Sequence, residues 1–165
     1  MSIERVTEYF KQFGRENDIL QFPVSSATVA LAAEALHCAP ALIAKTLSFK
    51  GPEGPILIVM AGDRKLDNKK YKQVFHTKAV MLHGDEVEKL IGHAIGGVCP
   101  FAINEGVKVY IDFSVKQFDY VYPACGSANS AIKLTPDELF QYSHAESYVD
   151  VSKELEPVAA NAPAA

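Results

Sequence analysis

The order of apolar and polar positions along the chain predicts short strands alternating with helices. Two apolar runs, at residues 43–49 and 56–60, flank the turn residues 51–55 (GPEGP), and this spacing predicts an antiparallel hairpin. Further strands are predicted at residues 19–24, 79–82, 107–112, 119–124, 130–134 and 147–151. Apolar residues at helical spacing and capping residues predict helices at residues 3–13, 27–36, 68–75, 84–91 and 136–142.

Two of these helices have well-defined starts. Asp67 is predicted to cap the helix at 68–75, and the run Thr135-Pro-Asp-Glu138 has the form of a capping box with proline at the first helical position. With no internal repeat and no linker, the pattern predicts a single α+β domain over residues 1–153. The Ala/Pro-rich residues that follow, 154–165, are predicted to form a disordered tail.

The first strand of the predicted hairpin contains a charge where the pattern requires an apolar residue. Side chains alternate across a strand, so Lys45 shares a face with Ile43, Leu47 and Phe49. Burying an unpaired ammonium costs several kcal/mol, roughly, so its presence needs a reason. Either the side chain reaches solvent at a sheet edge, or it lines a pocket for an anionic or carbonyl-bearing ligand.

Composition narrows the function classes only slightly. The chain has 165 residues and a formal net charge of −4, which argues against a surface that coats nucleic acid broadly. The N-terminus lacks the apolar region of a signal peptide, and no apolar run is long enough to cross a membrane. Three cysteines without a CxxC pair predict neither disulfides nor a cysteine-based zinc site, and a reducing cytoplasm is expected. No metal or other cofactor is predicted.

Two glycine-containing loops are candidates for a site that stabilises a carbonyl oxygen. Residues 96–101 (GGVCPF) and 126–130 (GSANS) could bring backbone N–H groups close to a ligand, although both could equally be tight turns. Cys99 lies within the first loop and could act as a nucleophile with His93 as its base, but a small buried thiol is the simpler interpretation. The locally basic segment forms either a solvated surface or a patch that contacts phosphates; its residues are Arg64, Lys65, Lys69, Lys70, Lys72 and Lys78.

Four segments together resemble the YbaK/EbsC family, the free-standing relatives of the editing domain of bacterial prolyl-tRNA synthetases. They are Lys45-Thr46-Leu47, residues 62–67 (GDRKLD), residues 96–101, and Gly126-Ser127 followed by residues 131–136 (AIKLTP). The segments occur in family order over residues 25–145. The resemblance implies a mixed, mostly antiparallel, barrel-like sheet flanked by helices, and it implies hydrolysis of mischarged aminoacyl-tRNA in trans.

The resemblance also implies roles for individual residues. Lys45 would orient the substrate, the backbone at Gly97, Pro100 and Phe101 would hold the carbonyl or its oxyanion, and a water would attack. Residues expected to bind the substrate are Phe22, Thr46, Val98, Cys99, Gly126, Ser127 and Asn129. The tRNA would contact Arg64, Lys65, Lys69 and Lys70. A small amino acid such as Ala, Ser or Cys is the expected acyl group, and a synthetase is a further expected partner.

Two other functions fit the same residues. A non-catalytic module could capture a tRNA end, a nucleotide or a synthetase, since the chain shows no obvious general base. A small-molecule amidase or esterase could use Cys99. A deacylation assay distinguishes the binding module from the deacylase, because a binding module releases no amino acid. Thiol alkylation tests the Cys99 enzyme, because activity that survives alkylation excludes it.

Overall fold

The computed structural model describes residues 2–155 and is organised around a long antiparallel hairpin. The elements in chain order are α1 (Ser2–Lys11), β1 (Leu20–Gln21), α2 (Val29–Leu36), β2 (Ile43–Gly51), β3 (Gly54–Ala61), β4 (Arg64–Leu66), α3 (Asn68–Phe75), α4 (Gly84–Ile91), β5 (Lys108–Asp112), α5 (Phe113–Lys116), β6 (Tyr122–Pro123), β7 (Ser130–Ala131), α6 (Pro136–Tyr142), β8 (Ser147–Val149) and β9 (Ser152–Glu154). Short 3₁₀ turns at Glu16–Asp18 and Pro40–Leu42 precede β1 and β2.

The predicted hairpin is confirmed as β2 and β3, which pair from Ala44–Ala61 to Gly51–Gly54, so that only Ile43 of β2 has no partner in β3. These strands lie at the centre of a five-stranded sheet with the order β6-β2-β3-β5-β8. The pairs β1–β7 and β4–β9 form two separate two-stranded sheets. The α+β class with a mixed sheet is therefore confirmed.

The strand pairing, taken over all three sheets, contains more parallel pairs than the resemblance implied. Of the six strand pairs in the described chain, three are parallel, namely β2–β6, β3–β5 and β5–β8. Several predicted strands are shorter in the structure because they pair over only a few residues. Residues 79–82 contribute a single bridge, Phe49 to Met81, and residues 19–24 contribute only β1.

Both faces of β2 are buried, and each faces a different apolar cluster. On one face, Ala44 belongs to the main cluster, which includes residues of α1, α4 and α6. On the other face, Phe49 and partly buried Leu47 pack with Ile58, Met60 and Tyr71. Lys45 lies directly opposite Met60 and shares the face of Leu47 and Phe49. The prediction that this face turns inward is confirmed, although the other face is buried as well.

Helix starts follow local chemistry, with one exception. Asp67 caps α3, since its Oδ1 accepts bonds from the N–H groups of Lys69 at 3.0 Å and Lys70 at 3.1 Å. The capping box of Thr135 and Glu138 is also present at α6. The helix predicted at residues 27–36 begins two residues later, at Val29, because the hydroxyl of Thr28 accepts the bond from Leu31 N–H and caps α2.

The C-terminal part of the described chain forms a second antiparallel contact that the pattern did not predict. The predicted strand at 147–151 is present as β8, which extends the main sheet, and an additional strand, β9, follows it and pairs with β4. Glu154, placed in the predicted tail, pairs with Arg64. The remainder of that tail, from residue 156, lies outside the described residues. None of the helices within residues 2–155 has the length and apolar character needed to span a membrane.

Candidate functional site

A cleft of about 420 Å³ lies along the free edge of β2. Its lining comes from the middle of β2, the start of α2, the start of α4, the loop at 95–98, and the strands β6 and β7. Lys45, Thr46 and Val98 are the predicted site residues that line it. The volume is within the range of about 300–1,000 Å³ that small-molecule sites occupy.

The free edge of β2 exposes the backbone of Thr46 to this cleft. Strand β6 pairs with β2 only at Ile43 and Ala44, and at the other end Leu82 N–H donates to Ser48 O at 3.1 Å. Along a strand, N–H and C=O groups two residues apart point to the same side, so those of Thr46 face the gap between these contacts. The Thr46 Oγ1 atom is also buried without a hydrogen-bond partner. The strand edge thus presents the backbone N–H and C=O of Thr46 at the cleft, while its Oγ1 atom is covered and unpaired.

Lys45 is partly buried at the same wall. Its ammonium donates to the backbone carbonyl of Arg64, which leaves two of its three N–H donors for other partners. Burial lowers the pKa of Lys45, and the nearby negative charge of Asp63 opposes this shift. Of the two interpretations left open by the sequence, the structure favours the one in which Lys45 lines a pocket.

The two glycine-containing loops, at residues 96–101 and 126–130, contact each other beside the part of the cleft lined by residues 95–98. A Cβ atom on Gly97 would lie 2.8 Å from the carbonyl carbon and oxygen of Gly126 and from Cα of Ser127. Such a distance is too short for real atoms, so only glycine permits this contact. The N–H of Gly97 already donates to Ala94 O at 3.0 Å, and Gly97 therefore shapes the wall more than it offers an oxyanion donor.

Behind this wall, the side chains of Cys99 and Phe101 are fully buried and do not line the cleft. Pro100 is buried as well. Burial raises the pKa of the Cys99 thiol to about 12. Any contact of Cys99 or Phe101 with a substrate in this arrangement would have to come from the backbone.

His93 is close to Cys99 but is not arranged to act as its base. The distance from His93 Nε2 to Cys99 Sγ is 3.5 Å, and Nε2 lies 2.7 Å from Phe101 O. Because a carbonyl oxygen only accepts, Nε2 carries the hydrogen and has no lone pair for the thiol proton. Burial also lowers the pKa of His93. The geometry therefore disfavours the cysteine esterase.

Three other predicted substrate residues hold the chain together near the cleft. Asn129 Nδ2 donates to Phe22 O at 2.9 Å, and Phe22 N–H donates to Asn129 O at 2.8 Å. The Ser127 hydroxyl donates to Asn129 Oδ1 at 2.9 Å or to Ser130 Oγ at 2.8 Å. Ser127, Gly126 and Gly97 line a separate cavity of about 500 Å³, whereas Phe22 and Asn129 line neither. A direct role for these residues in substrate binding stays a prediction.

The predicted tRNA-binding residues are not equivalent in the structure. Arg64 donates to Ser152 and Lys70 to Asp150 and Ser152, so both side chains are engaged with the C-terminal segment. Lys65 is partly buried in β4, and Lys69 is exposed at the start of α3. Their contact with tRNA likewise stays a prediction.

Sequence reasoning missed part of the cleft lining. Tyr122, Met81 and Ile95 line the cleft, and the side chain of Ile95 is 68% exposed. The position of Ile95 next to the pair Gly96-Gly97 is a signal that could have been used, because an apolar residue at a loop tip needs a reason. No comparable signal marks Tyr122, whose place depends on the parallel pairing of β6 with Ile43.

Comparison with known proteins gives one family. The model of the family described as an aminoacyl-tRNA editing domain matches residues 24–142. The chain is 52% identical to the YwhH protein of Bacillus subtilis over 158 residues, which cover 94% of this chain and 100% of that protein. It is 28% identical to the EbsC protein of Enterococcus faecalis, covering 69% of this chain and 71% of EbsC. The name of EbsC proposes a Cys-tRNA(Pro)/Cys-tRNA(Cys) deacylase.

Solved structures agree with this family. The chain superimposes with a TM-score of 0.83 and 28% identity on a crystal structure whose title proposes a trans-editing enzyme for prolyl tRNA synthetase. The match covers 92% of this chain and 97% of that one. The fold is therefore that of the trans-editing proteins over nearly the whole length of both chains.

Proposed function

Because the chain belongs to the aminoacyl-tRNA editing domain family and is of the deacylase class, we propose that it hydrolyses, in trans, mischarged aminoacyl-tRNA carrying a small amino acid. Ala, Ser and Cys are the candidate acyl groups. The observation that carries this proposal is the pairing of a partly buried ammonium, on Lys45, with the unpaired strand edge at Thr46 on one wall of the cleft. An aminoacyl-tRNA substrate also points to the cytoplasm as the site of action.

The proposed mechanism uses position and charge without a protein nucleophile. One N–H of Lys45 is held by Arg64 O, and the other two orient the ester and the terminal nucleotide. The polar groups of Thr46, together with the backbone of Val98 on the facing wall, bind the acyl group and its developing oxyanion. A water oxygen bonds to the ester carbon, the bond from that carbon to the ribose oxygen breaks, and a proton goes to the ribose oxygen. The free ribose hydroxyl of the substrate can assist the water.

The decisive test is a panel of tRNAs charged with Ala, Ser, Cys or the cognate amino acid. We expect the protein to deacylate at least one mischarged species, and we expect Lys45→Ala to slow that reaction by about 100-fold or more, because a positioned charge is lost. Lys50→Ala is the matched control, since Lys50 is an exposed lysine on the same strand. Absence of deacylation across the panel, or full activity in Lys45→Ala, contradicts the proposal.

A second candidate, a non-catalytic module that captures the end of a charged tRNA, is favoured by one observation. No Asp, Glu or His occurs among the described residues that line the cleft, so the cleft offers no carboxylate or imidazole base. In this case the wild-type protein would bind charged tRNA and protect its ester. The same panel distinguishes the two functions, because a deacylase shortens the lifetime of the ester and a binding module lengthens it.

We also propose that Lys69 contacts the tRNA backbone, with a synthetase as a further partner of the complex. Lys69→Ala should weaken tRNA binding and reduce the slope of log affinity against log salt by roughly 0.7–0.9, the amount of one lost phosphate contact. Lys11→Ala removes an exposed lysine from α1 and should leave the slope unchanged. An equal slope in wild type and Lys69→Ala would assign Lys69 to solubility alone. Lys70 is less suitable for this test, because its bonds to Asp150 and Ser152 also support the fold.

A further inference from the structure

The ammonium of Lys45 is held by a backbone carbonyl, that of Arg64, in the three-residue strand β4. This strand has β9 as its partner in a separate two-stranded sheet. Because so short a pair is marginal by itself, side-chain contacts must keep β4 and β9 in place. The position of the carbonyl that holds Lys45 therefore depends on whatever fixes this strand pair.

A chain of side-chain hydrogen bonds provides that support. The guanidinium of Arg64 donates from Nε to Ser152 Oγ at 3.0 Å and from its second terminal nitrogen to Ser152 O at 3.0 Å. The hydroxyl of Ser152 in turn donates to Asp112 Oδ2 at 2.6 Å. Both Ser152 and Asp112 are 1% exposed. The bonds thus run from Lys45 at the cleft, through Arg64, to two buried residues.

Asp112 fixes the far end of this chain. Its carboxylate also accepts from Ser114 N–H at 2.9 Å and from Val151 N–H at 2.9 Å. A buried carboxylate that accepts three hydrogen bonds is well compensated for the loss of water. Asp112 therefore ties the end of the central strand β5 to the segment that enters β9.

Ser152 lies beyond the region of the chain that matches the family, which ends at residue 142. We propose that Ser152 and Asp112 are positioning residues for the Lys45 ammonium, acting through Arg64, so that β9 forms part of the deacylation site. This inference rests on the proposed function of Lys45. A purely structural role for β9 would stabilise the protein without altering the environment of the Lys45 amine.

The test measures the amine of Lys45 directly as well as activity. Ser152→Ala removes the central hydroxyl, and Arg64→Met keeps the backbone carbonyl while removing its anchor and leaves the Ser152–Asp112 bond intact. Ser147→Ala, at an exposed serine of the neighbouring strand β8, is the matched control. Competitive acylation of folded protein with acetic anhydride, read by mass spectrometry, gives the reactivity of Lys45 relative to the other lysines. Circular dichroism verifies folding of each variant.

We expect Ser152→Ala and Arg64→Met to raise the relative reactivity of Lys45 several-fold and to lower kcat by about tenfold, because a misplaced group costs rate more than binding. KM should stay nearly unchanged in Ser152→Ala, which keeps the guanidinium of Arg64 as a predicted tRNA contact. Ser147→Ala should behave as wild type in both measurements. Wild-type reactivity of Lys45 together with wild-type kcat in either folded variant overturns the inference.

The result also separates this inference from the function on which it rests. If Lys45→Ala is fully active, the proposed function fails, yet a raised Lys45 reactivity in Ser152→Ala still shows that β9 positions the amine. If Lys45→Ala is inactive while both support variants match wild type in rate and reactivity, the function stands and the positioning role is lost.

Discussion

The two walls of the cleft differ in which of their atoms they turn toward it. The β2 wall presents the side chains of Lys45 and Thr46 together with an unpaired strand edge. The other wall, called here the glycine wall, is the loop at residues 95–98. Next to it, the side chains of Cys99 and Phe101 are buried in the core, and the close contact between the backbones of Gly97 and Gly126 fixes the shape of the loop. One wall offers charge and hydrogen bonds, whereas the other is defined by close packing.

This difference assigns separate tasks to the two walls. Groups that bind or polarise a substrate need unsatisfied donors and acceptors, and the β2 wall keeps such groups because neither β6 nor the Met81 segment covers Thr46. A packed wall has few such groups, here the backbone of Val98 in the proposed mechanism, but it can hold a narrow shape that a methyl group would disturb. Substitutions on the glycine wall should therefore affect folding and activity together, and those on β2 should affect activity alone.

Among the substitutions that compare the two walls, the largest combined effect on stability and activity is expected for Gly97→Ala. Its Cβ would lie 2.8 Å from backbone atoms of Gly126 and Ser127, and backbone cannot rotate aside. We expect the free energy of unfolding to fall by about 1–3 kcal/mol and activity to fall at least tenfold, roughly, as the loops separate. Denaturant titration and the deacylation assay measure the two quantities.

Gly106→Ala is the matched control for this prediction. No atom lies within 4 Å of a Cβ at Gly106, and its φ of +92° leaves only backbone strain. It should lower stability by about 1–2 kcal/mol without a selective loss of activity. If Gly97→Ala proves as stable and as active as wild type, close packing does not define this wall.

A smaller and more selective effect is expected for Thr46→Val. The Oγ1 atom of Thr46 is buried without a partner, so replacing it by a methyl group should leave the free energy of unfolding unchanged or raise it by about 1 kcal/mol. KM for charged tRNA should rise about fivefold if the hydroxyl binds substrate, which corresponds to one hydrogen bond of about 1 kcal/mol. Thr46→Ser retains the hydroxyl and should retain the wild-type KM. A destabilised Thr46→Val with normal KM would reverse the roles given to the two walls.

The smallest effect on activity is expected at Cys99. With its pKa raised to about 12 by burial, the thiol stays protonated at pH 8 and should resist iodoacetamide in the folded protein. Partly exposed Cys38 serves as the internal control for reagent access, and all three cysteines should react after denaturation. Cys99→Ala should keep activity within about twofold while losing stability through the cavity it leaves. Loss of activity on alkylation of Cys99 would instead support the hypothesis that Cys99 is the nucleophile of an esterase.

Local patterns were sufficient for the features that depend on neighbours in sequence. The hairpin of β2 and β3, the caps at Asp67 and Thr135, and the inward face that carries Lys45 all follow from alternation, turn residues and first-turn hydrogen bonds. The family and the enzyme class were also predictable, because the four motifs occur in order. The prediction failed at the start of α2, where three hydroxyl residues compete and only Thr28 has the geometry of a cap.

Contacts between distant residues were decided by the tertiary structure alone. The pairing of β4 with β9 and the use of Arg64 and Lys70 to hold the C-terminal segment have no local signature, whereas the burial of the Cys99 thiol was predicted from its residue type. The sequence by itself determined the strand that carries Lys45 and Thr46 to the cleft, because alternation and turn residues act over a few residues. Which polar groups stay unpaired there was settled only by folding, because a hydrogen bond between residues such as Ser152 and Asp112 exists only once separate strands have come together.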